Sequence, residues 1–145
     1  MTSQIKRWPL TLDEEAEYIC ACITQYQKYY QGISIKLNAN IASSCKSIEH
    51  DLLWPLLEDA FTCGIYGVKD PSVIFDIETQ ESKLIFSLRY KYDKHRRDER
   101  TAVTFLKFKE KLETSYPGRF VLCRKYQQDV YHLLLILNCY ANYYY

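Results

Sequence analysis

Six cysteines and three histidines are the side chains of this 145-residue chain best suited to bind metal or exchange thiols. Cys20 and Cys22 stand two apart in a segment of helical periodicity, where such neighbours do not face each other. Cys45, Cys63, Cys123 and Cys139 form no Cys-x-x-Cys pair, so a zinc centre would need distant cysteines to converge with His50 or His132. We read the cysteines as buried free thiols. A second concentration of reactive groups is the segment 89–100, with six basic and three acidic residues plus His95. It reads either as a cationic surface for an acidic partner or as a solvated loop, and the interspersed acids favour the loop. The tail Tyr140, Asn142, Tyr143, Tyr144 and Tyr145 is a contact surface or a frayed end.

The elements that must position these groups follow from periodicity. Ala16, Ile19, Ile23 and Tyr26 recur at helical spacing behind Asp13, Glu14 and Glu15, predicting a helix over 13–30 that Gly32 ends. Ile33, Ile35 and Leu37 then alternate as a half-buried strand, and the polar stretch 38–49 reads as loop. Leu53, Leu56, Leu57, Ala60 and Phe61 predict a second helix, with Gly64 as its C-terminal cap. Val73, Phe75 and Ile77, then Leu84, Phe86 and Leu88, form an antiparallel hairpin around the turn 79–83. A third helix is expected over 101–116, closed by Pro117 and Gly118. Runs 120–126 and 130–138 make a second hairpin around Gln127, Gln128 and Asp129. Hairpin-paired strands interspersed with helices predict an α/β (α+β) two-layer sandwich, a mixed, mostly antiparallel sheet covered by helices on one face.

Composition narrows the function classes. With 48% apolar and 26% charged residues, the chain reads as one globular domain, 1–145, with its core over about 10–138. A chain this long buries roughly 68% of its unfolded surface and needs no disulfide or metal staple. A net charge of +1 excludes nucleic-acid binding by charge alone. The longest apolar run, 130–137, contains His132 and falls short of the roughly 20 residues a membrane helix needs. The N-terminus has no apolar secretory core, so no membrane contact and a cytoplasmic location are expected.

Four strings within residues 10–138 carry a family resemblance: LWPLLEDAFTCG at 53–64, the hairpin over 72–88, TAVTFLKFKEKLETSYPG at 101–118, and the closing hairpin. Together they resemble the ATP-binding domain of LytS-type sensor histidine kinases, members of the GHKL (HATPase) superfamily with its Bergerat fold. That family carries an apolar helix ending in Glu-Asn-Ala before a Gly, and here Glu58, Asp59, Ala60 and Gly64 occupy the frame. It also has a Gly-x-Gly-Leu helix running into Leu-x-x-x-Tyr-Pro-Gly, matched by Leu112, Tyr116, Pro117 and Gly118. The resemblance implies two-component signalling, with ATP and Mg²⁺ as cofactors where the site works. It implies Glu58 as the catalytic group assisting phosphoryl transfer and Asp59, in the place of Asn, as the Mg²⁺ ligand.

The departures fall on nucleotide-handling positions. The adenine-recognising Asp or Asn aligns with Tyr90, whose phenol does not accept from the adenine amino group as a carboxylate does. Losing a hydrogen bond to a charged group costs about 1.5–3 kcal/mol, roughly one to two decades of affinity. The phosphate-approaching glycine pair aligns with Ala102 and Thr104, where a Cβ hinders positive φ and close backbone approach. The segment aligned with the ATP lid, 94–99, has no glycine, and the family's phosphoacceptor His string is absent from this chain, which excludes phosphorylation in cis. We therefore expect poor or no ATP binding, no cofactor, and a degenerate, catalytically inactive domain, a pseudokinase acting through a sensor kinase, a response regulator or a second copy of itself. The enzymatic alternative keeps Glu58 and Asp59 at work, with the phosphoacceptor outside this chain. A third reading is a small α/β binding protein whose Tyr-rich tail, 139–145, closes an oligomer. The sequence leaves open whether Tyr90, Tyr92 and Phe105 fill the site.

Overall fold

The computed structural model describes residues 10–29, 32–41, 47–48, 52–65, 68–80, 83–92 and 99–138. A two-residue strand, β1 (Leu10–Thr11), leads into helix α1 (Leu12–Tyr29), followed by β2 (Ser34–Asn40) and the short β3 (Ser47–Ile48). Helix α2 (Trp54–Ile65) precedes the hairpin β4 (Ser72–Gln80) and β5 (Lys83–Lys91). Helix α3 (Glu99–Ser115) precedes the hairpin β6 (Phe120–Gln127) and β7 (Val130–Asn138). The main sheet has five strands in the order β2-β4-β5-β7-β6, antiparallel throughout except for the parallel pair β2–β4.

Alternation decides which face is covered. Val73, Phe75 and Ile77 of β4, Leu84, Phe86, Leu88 and Tyr90 of β5, and Tyr131, Leu133, Leu135 and Leu137 of β7 are all buried on one face. The helices supply the facing layer: Ile19 and Ile23 of α1, Leu56, Leu57, Ala60 and Phe61 of α2, and Phe108 and Leu112 of α3. Rings tie the layers together, with Tyr26 of α1 stacked on Phe61 at 4.0 Å and Phe61 edge-on to Phe75 at 6.0 Å. The opposite sheet face carries Ile74, Asp76 and Glu78 of β4, Ile85, Ser87, Arg89 and Lys91 of β5, His132, Leu134 and Ile136 of β7, and Val121, Cys123 and Lys125 of β6. These residues are half-buried or exposed.

The architecture is the predicted two-layer one, with local corrections. The stretch 38–49 is not all loop: β2 extends to Asn40 because its parallel partner β4 carries the hydrogen-bond ladder on to Glu78, and Ser47–Ile48 pairs with Leu10–Thr11. Such a pairing of distant polar segments leaves no local signal. The segment 89–100 is likewise not one loop, since Arg89–Lys91 finish β5 and Glu99–Arg100 begin α3; residues 93–98 lie outside the described residues. The tail 139–145 and His50 lie outside them too. Gly32 and Gly118 close α1 and α3 with φ of 86° and 72°, the left-handed conformation that glycine adopts without Cβ strain. Gln128 (φ 58°) turns β6 into β7 in the same region.

Two outcomes follow. Leu112→Ala, at a fully buried position, lowers stability by about 2–5 kcal/mol in chemical denaturation. The same truncation at Leu106, 57% exposed on the same helix, changes it by less than about 0.5 kcal/mol. The second outcome concerns pH. Burial and then the charges of Arg89 and Lys125 lower the His132 pKa from 6.5, against a smaller raising effect of Asp76. The unfolded chain therefore binds a proton more readily, so this contribution is intact above pH 6.5 and is lost as pH falls below it. Melting temperature drops more steeply on acidification in the natural chain than in His132→Gln.

Candidate functional site

Consecutive helical residues point about 100° apart, and that rotation separates the two acids of α2. Glu58 faces solvent, whereas Asp59 is 7% exposed and faces the sheet. Cys63, one turn later, donates its thiol to Asp59 Oδ1 at 3.6 Å. The carboxylate's field also reaches the hydroxyls of Tyr126 and Tyr131, helping to raise both pKa values. The two carboxylates diverge and form no joint acid–base pair. Mg²⁺ demands a near-octahedral set of oxygens, and of the two acids only Asp59 points inward as a donor. Among the described residues no three His, Cys, Asp or Glu side chains converge as metal ligands.

Tyr90 occupies the space beside Asp59's helix. It is 2% exposed, and its ring lies so close to Gly64 that a Cβ there would sit 2.8 Å from Cδ1 and 3.0 Å from Cγ. Gly64 is thus not the predicted cap: it lies inside α2, and its missing side chain is what admits the Tyr90 ring. From Tyr90 an aromatic run continues through Tyr131 at 5.0 Å and Tyr126 at 5.0 Å to Tyr92 at 5.1 Å. The Tyr92 hydroxyl donates to the Gln128 carbonyl at 3.3 Å, holding the run to the β6–β7 turn.

Arg124 enters this run from β6. Its guanidinium lies 4.3 Å from the Phe105 ring centre on α3, and its charge favours the ionised form of the Tyr131 hydroxyl. Burial is the main cause that lifts the Tyr131 pKa well above the ordinary phenol value, with Arg124 opposing it. Arg124 Nη1 is buried without a hydrogen-bond partner. Ala102 and Thr104, both half-buried, are the fourth and sixth residues of α3, which starts two residues earlier than the periodicity predicts. Neither has a positive φ, so this helix start is an ordinary one.

The structure therefore brings Asp59, Tyr90 and Phe105 to one region and leaves Glu58 outside it. The sequence reading singled out neither Arg124 nor Tyr126 nor Tyr131. A signal was present: Arg124 and Tyr126 share strand parity with the half-buried Phe120 and Leu122, so a charge and a phenol stand on the inward face of β6. The thiols also differ from expectation. Cys20, Cys22, Cys63 and Cys123 are in no disulfide, but Cys20 and Cys123 are exposed and the other two only half-buried, with Cys63 packed at the edge of the core beside Asp59. Cys45 and Cys139 lie outside the described residues.

No protein-family model matches the sequence, and no curated protein matches it. Solved structures do. The catalytic domain of histidine kinase ThkA superposes with a TM-score of 0.65 at 9% identity, over 93% of this chain and 97% of that one. The chain has the fold of histidine kinase catalytic domains. Acinetobacter baumannii histidine kinase AdeS gives a TM-score of 0.61 at 7% identity, over 95% of this chain and 70% of that one. The histidine kinase domain of the Erythrobacter litoralis blue-light activated kinase gives 0.63 at 8%, over 94% and 66%. The mixed, mostly antiparallel sheet with its helices is thus a histidine-kinase-like ATPase architecture. No helix among the described residues is long and apolar enough to cross a membrane.

Gly64→Ala tests the tight approach. The obstructing atoms are the root of the Tyr90 ring rather than a flexible chain end, so the added methyl destabilises by about 1–3 kcal/mol. In a double-mutant cycle, Tyr90→Leu recovers part of that loss, giving a coupling energy of at least about 0.5 kcal/mol.

Proposed function

We propose that this chain is a degenerate histidine-kinase-type ATPase domain of two-component signalling, of the LytS-like subtype, which binds no nucleotide and works in the cytoplasm as a protein-interaction module. The observation that carries the reading is the Tyr90 ring, seated against Gly64 and Tyr131 at the position where the family's adenine-recognising acid is expected. A ligand base would have to displace a side chain that is 2% exposed. Supporting it, Asp59 already accepts from Cys63, and Glu58 is turned to solvent, away from any group Asp59 would hold. Ala102 and Thr104 supply Cβ atoms where the family's glycines would let backbone amides approach phosphate. On this reading the set Asp59, Tyr90, Ala102 and Thr104 marks a former nucleotide site, and ATP and Mg²⁺ are not cofactors of this chain.

The partner class is a protein of the same signalling system: a sensor kinase, a response regulator or a second copy. ThkA, of the same fold, is seen in complex with the response regulator protein TrrA, and this chain superposes on that kinase with a TM-score of 0.57 at 10% identity, over 92% of this chain and 42% of that one.

Calorimetric titration of the purified chain with ATP and with ADP, each with and without Mg²⁺, decides between this and the enzymatic alternative. Neither heat nor a rise in melting temperature is expected at millimolar nucleotide. Micromolar, Mg²⁺-dependent binding would overturn the reading. In that event Glu58→Gln, expected here to change nothing, should abolish turnover while sparing binding.

A further inference from the structure

The sheet face opposite the helices carries a charge arrangement that packing among the described residues does not explain. The register places Lys36, Ile74, Arg89, His132 and Lys125 side by side across all five strands. Neighbouring strands lie about 4.8 Å apart, so Arg89 and Lys125 flank His132 closely. Arg89 and Lys125 thus stand on either side of one imidazole, and Lys91 adds another cation one row on along β5. The repulsion registers in His132, whose pKa Arg89 and Lys125 both lower. The counter-charge is slight. Asp76 sits 3.7 Å from Arg89, and its other oxygen accepts from Asn38 at 2.8 Å. Beside this cationic row lie Leu134 and Cys123, and then Ile85, Ile136 and Val121, with Val121 56% exposed. The helices pack on the other face, where Phe61 meets Phe75, Gly64 meets Tyr90 and Phe105 meets Arg124.

We propose that this face, across β5, β7 and β6, is a docking surface for an acidic segment of a partner protein, its carboxylates over Arg89, His132 and Lys125 and its apolar residues over Leu134, Ile136 and Val121. Charge complementarity selects that occupant. A broad polyanion such as an anionic membrane or a nucleic acid would also have to cover Asp76 and Glu78, which share the face on β4 and repel it. A discrete segment lying over β5, β7 and β6 avoids Glu78 and has only Asp76, already held by Asn38 beside Arg89, at its edge. The proposal rests on the interaction-module reading and gives it a surface. It uses none of the nucleotide-site residues.

The test measures fluorescence anisotropy of a labelled peptide of alternating leucine and glutamate with the full chain, against a peptide carrying lysine for glutamate, phosphatidylserine vesicles and a single-stranded oligonucleotide. The acidic peptide alone should bind, more weakly as salt rises. Lys125→Glu and Val121→Asp, both at exposed positions, should each weaken binding roughly three- to tenfold while melting like the natural chain. Affinity should rise as pH falls below 6.5, because bound carboxylates offset the repulsion that Arg89 and Lys125 exert on protonated His132, with Asp76 and Ser87 its other polar neighbours. His132→Gln should remove that dependence. No binding of the acidic peptide, equal binding of the basic one, indifference to both substitutions, or tighter binding of vesicles or oligonucleotide would each overturn the proposal. Those results leave the nucleotide titration untouched, so a failed surface and a failed interaction-module reading remain distinguishable.

Discussion

The seat of helix α2 on the sheet depends on one missing side chain. At Gly64 the helix backbone comes within contact distance of the Tyr90 ring, closer than any residue with a Cβ allows. That approach holds the last turn of α2 against β5, while one turn earlier Phe61 reaches Phe75 edge-on and offers its own face to Tyr26. The ring contacts thus run from sheet to α2 to α1, with Tyr18 and Trp54 completing the second contact between the two helices at 6.0 Å. Aromatic pairs of this kind add about 0.5–1.5 kcal/mol each beyond the area they bury, enough that the spacing set at Gly64 matters across the layer.

The same spacing determines what the region beyond Tyr90 can be. With α2 drawn in, the charge of Asp59 acts on Tyr126 of β6 and Tyr131 of β7, which share one cluster with Tyr90, Tyr92 and Arg124. The buried Nη1 of Arg124 lacks a partner, a cost of about 1–3 kcal/mol. Its cation–π contact with Phe105 returns about 0.5–2 kcal/mol. The balance leaves Arg124 in place without a net gain large enough to explain its presence by stability alone. A leucine at this inward position of β6 would bury more simply. Arg124 instead sets the electrostatics of the cluster, opposing the burial that raises the pKa values of Tyr126 and Tyr131.

Periodicity made most of the fold legible. Val73, Phe75 and Ile77 with Leu84, Phe86 and Leu88 mark a strand pair whose inward face is certain, because a slip of one residue would expose all six. The same reasoning placed Ala16, Ile19 and Ile23 in the core. The pairing of Leu10–Thr11 with Ser47–Ile48 was not legible, since two-residue strands carry no period and their pairing is a tertiary event. At the candidate site, aligned strings marked the positions of Asp59 and Tyr90 but not which way the side chains turn. That Glu58 faces out while Asp59 faces in follows from the phase of α2, fixed by Leu56, Leu57 and Ala60. Gly64 was misjudged because a glycine near a helix end usually caps it, and only the facing strand shows that this one makes room for a ring.

Solved kinase domains that share this fold at 7–9% identity show which constraint such a fold places on sequence. What the architecture requires is one apolar face per strand, one apolar stripe per helix and glycine where backbones meet. All of these can be met by many residue sets. Nothing in that requirement specifies an adenine acceptor, a metal ligand or a phosphate-binding glycine pair, so those positions can change while the sandwich persists. The sheet face opposite these helix contacts is under a weaker constraint, because its residues are half-buried or exposed and polar residues there would suffice. Arg89 and Lys125 on either side of His132, beside half-buried isoleucine and leucine and the exposed Val121, are therefore neither required by the fold nor favourable to it. Their explanation belongs to what meets that face, not to what supports it.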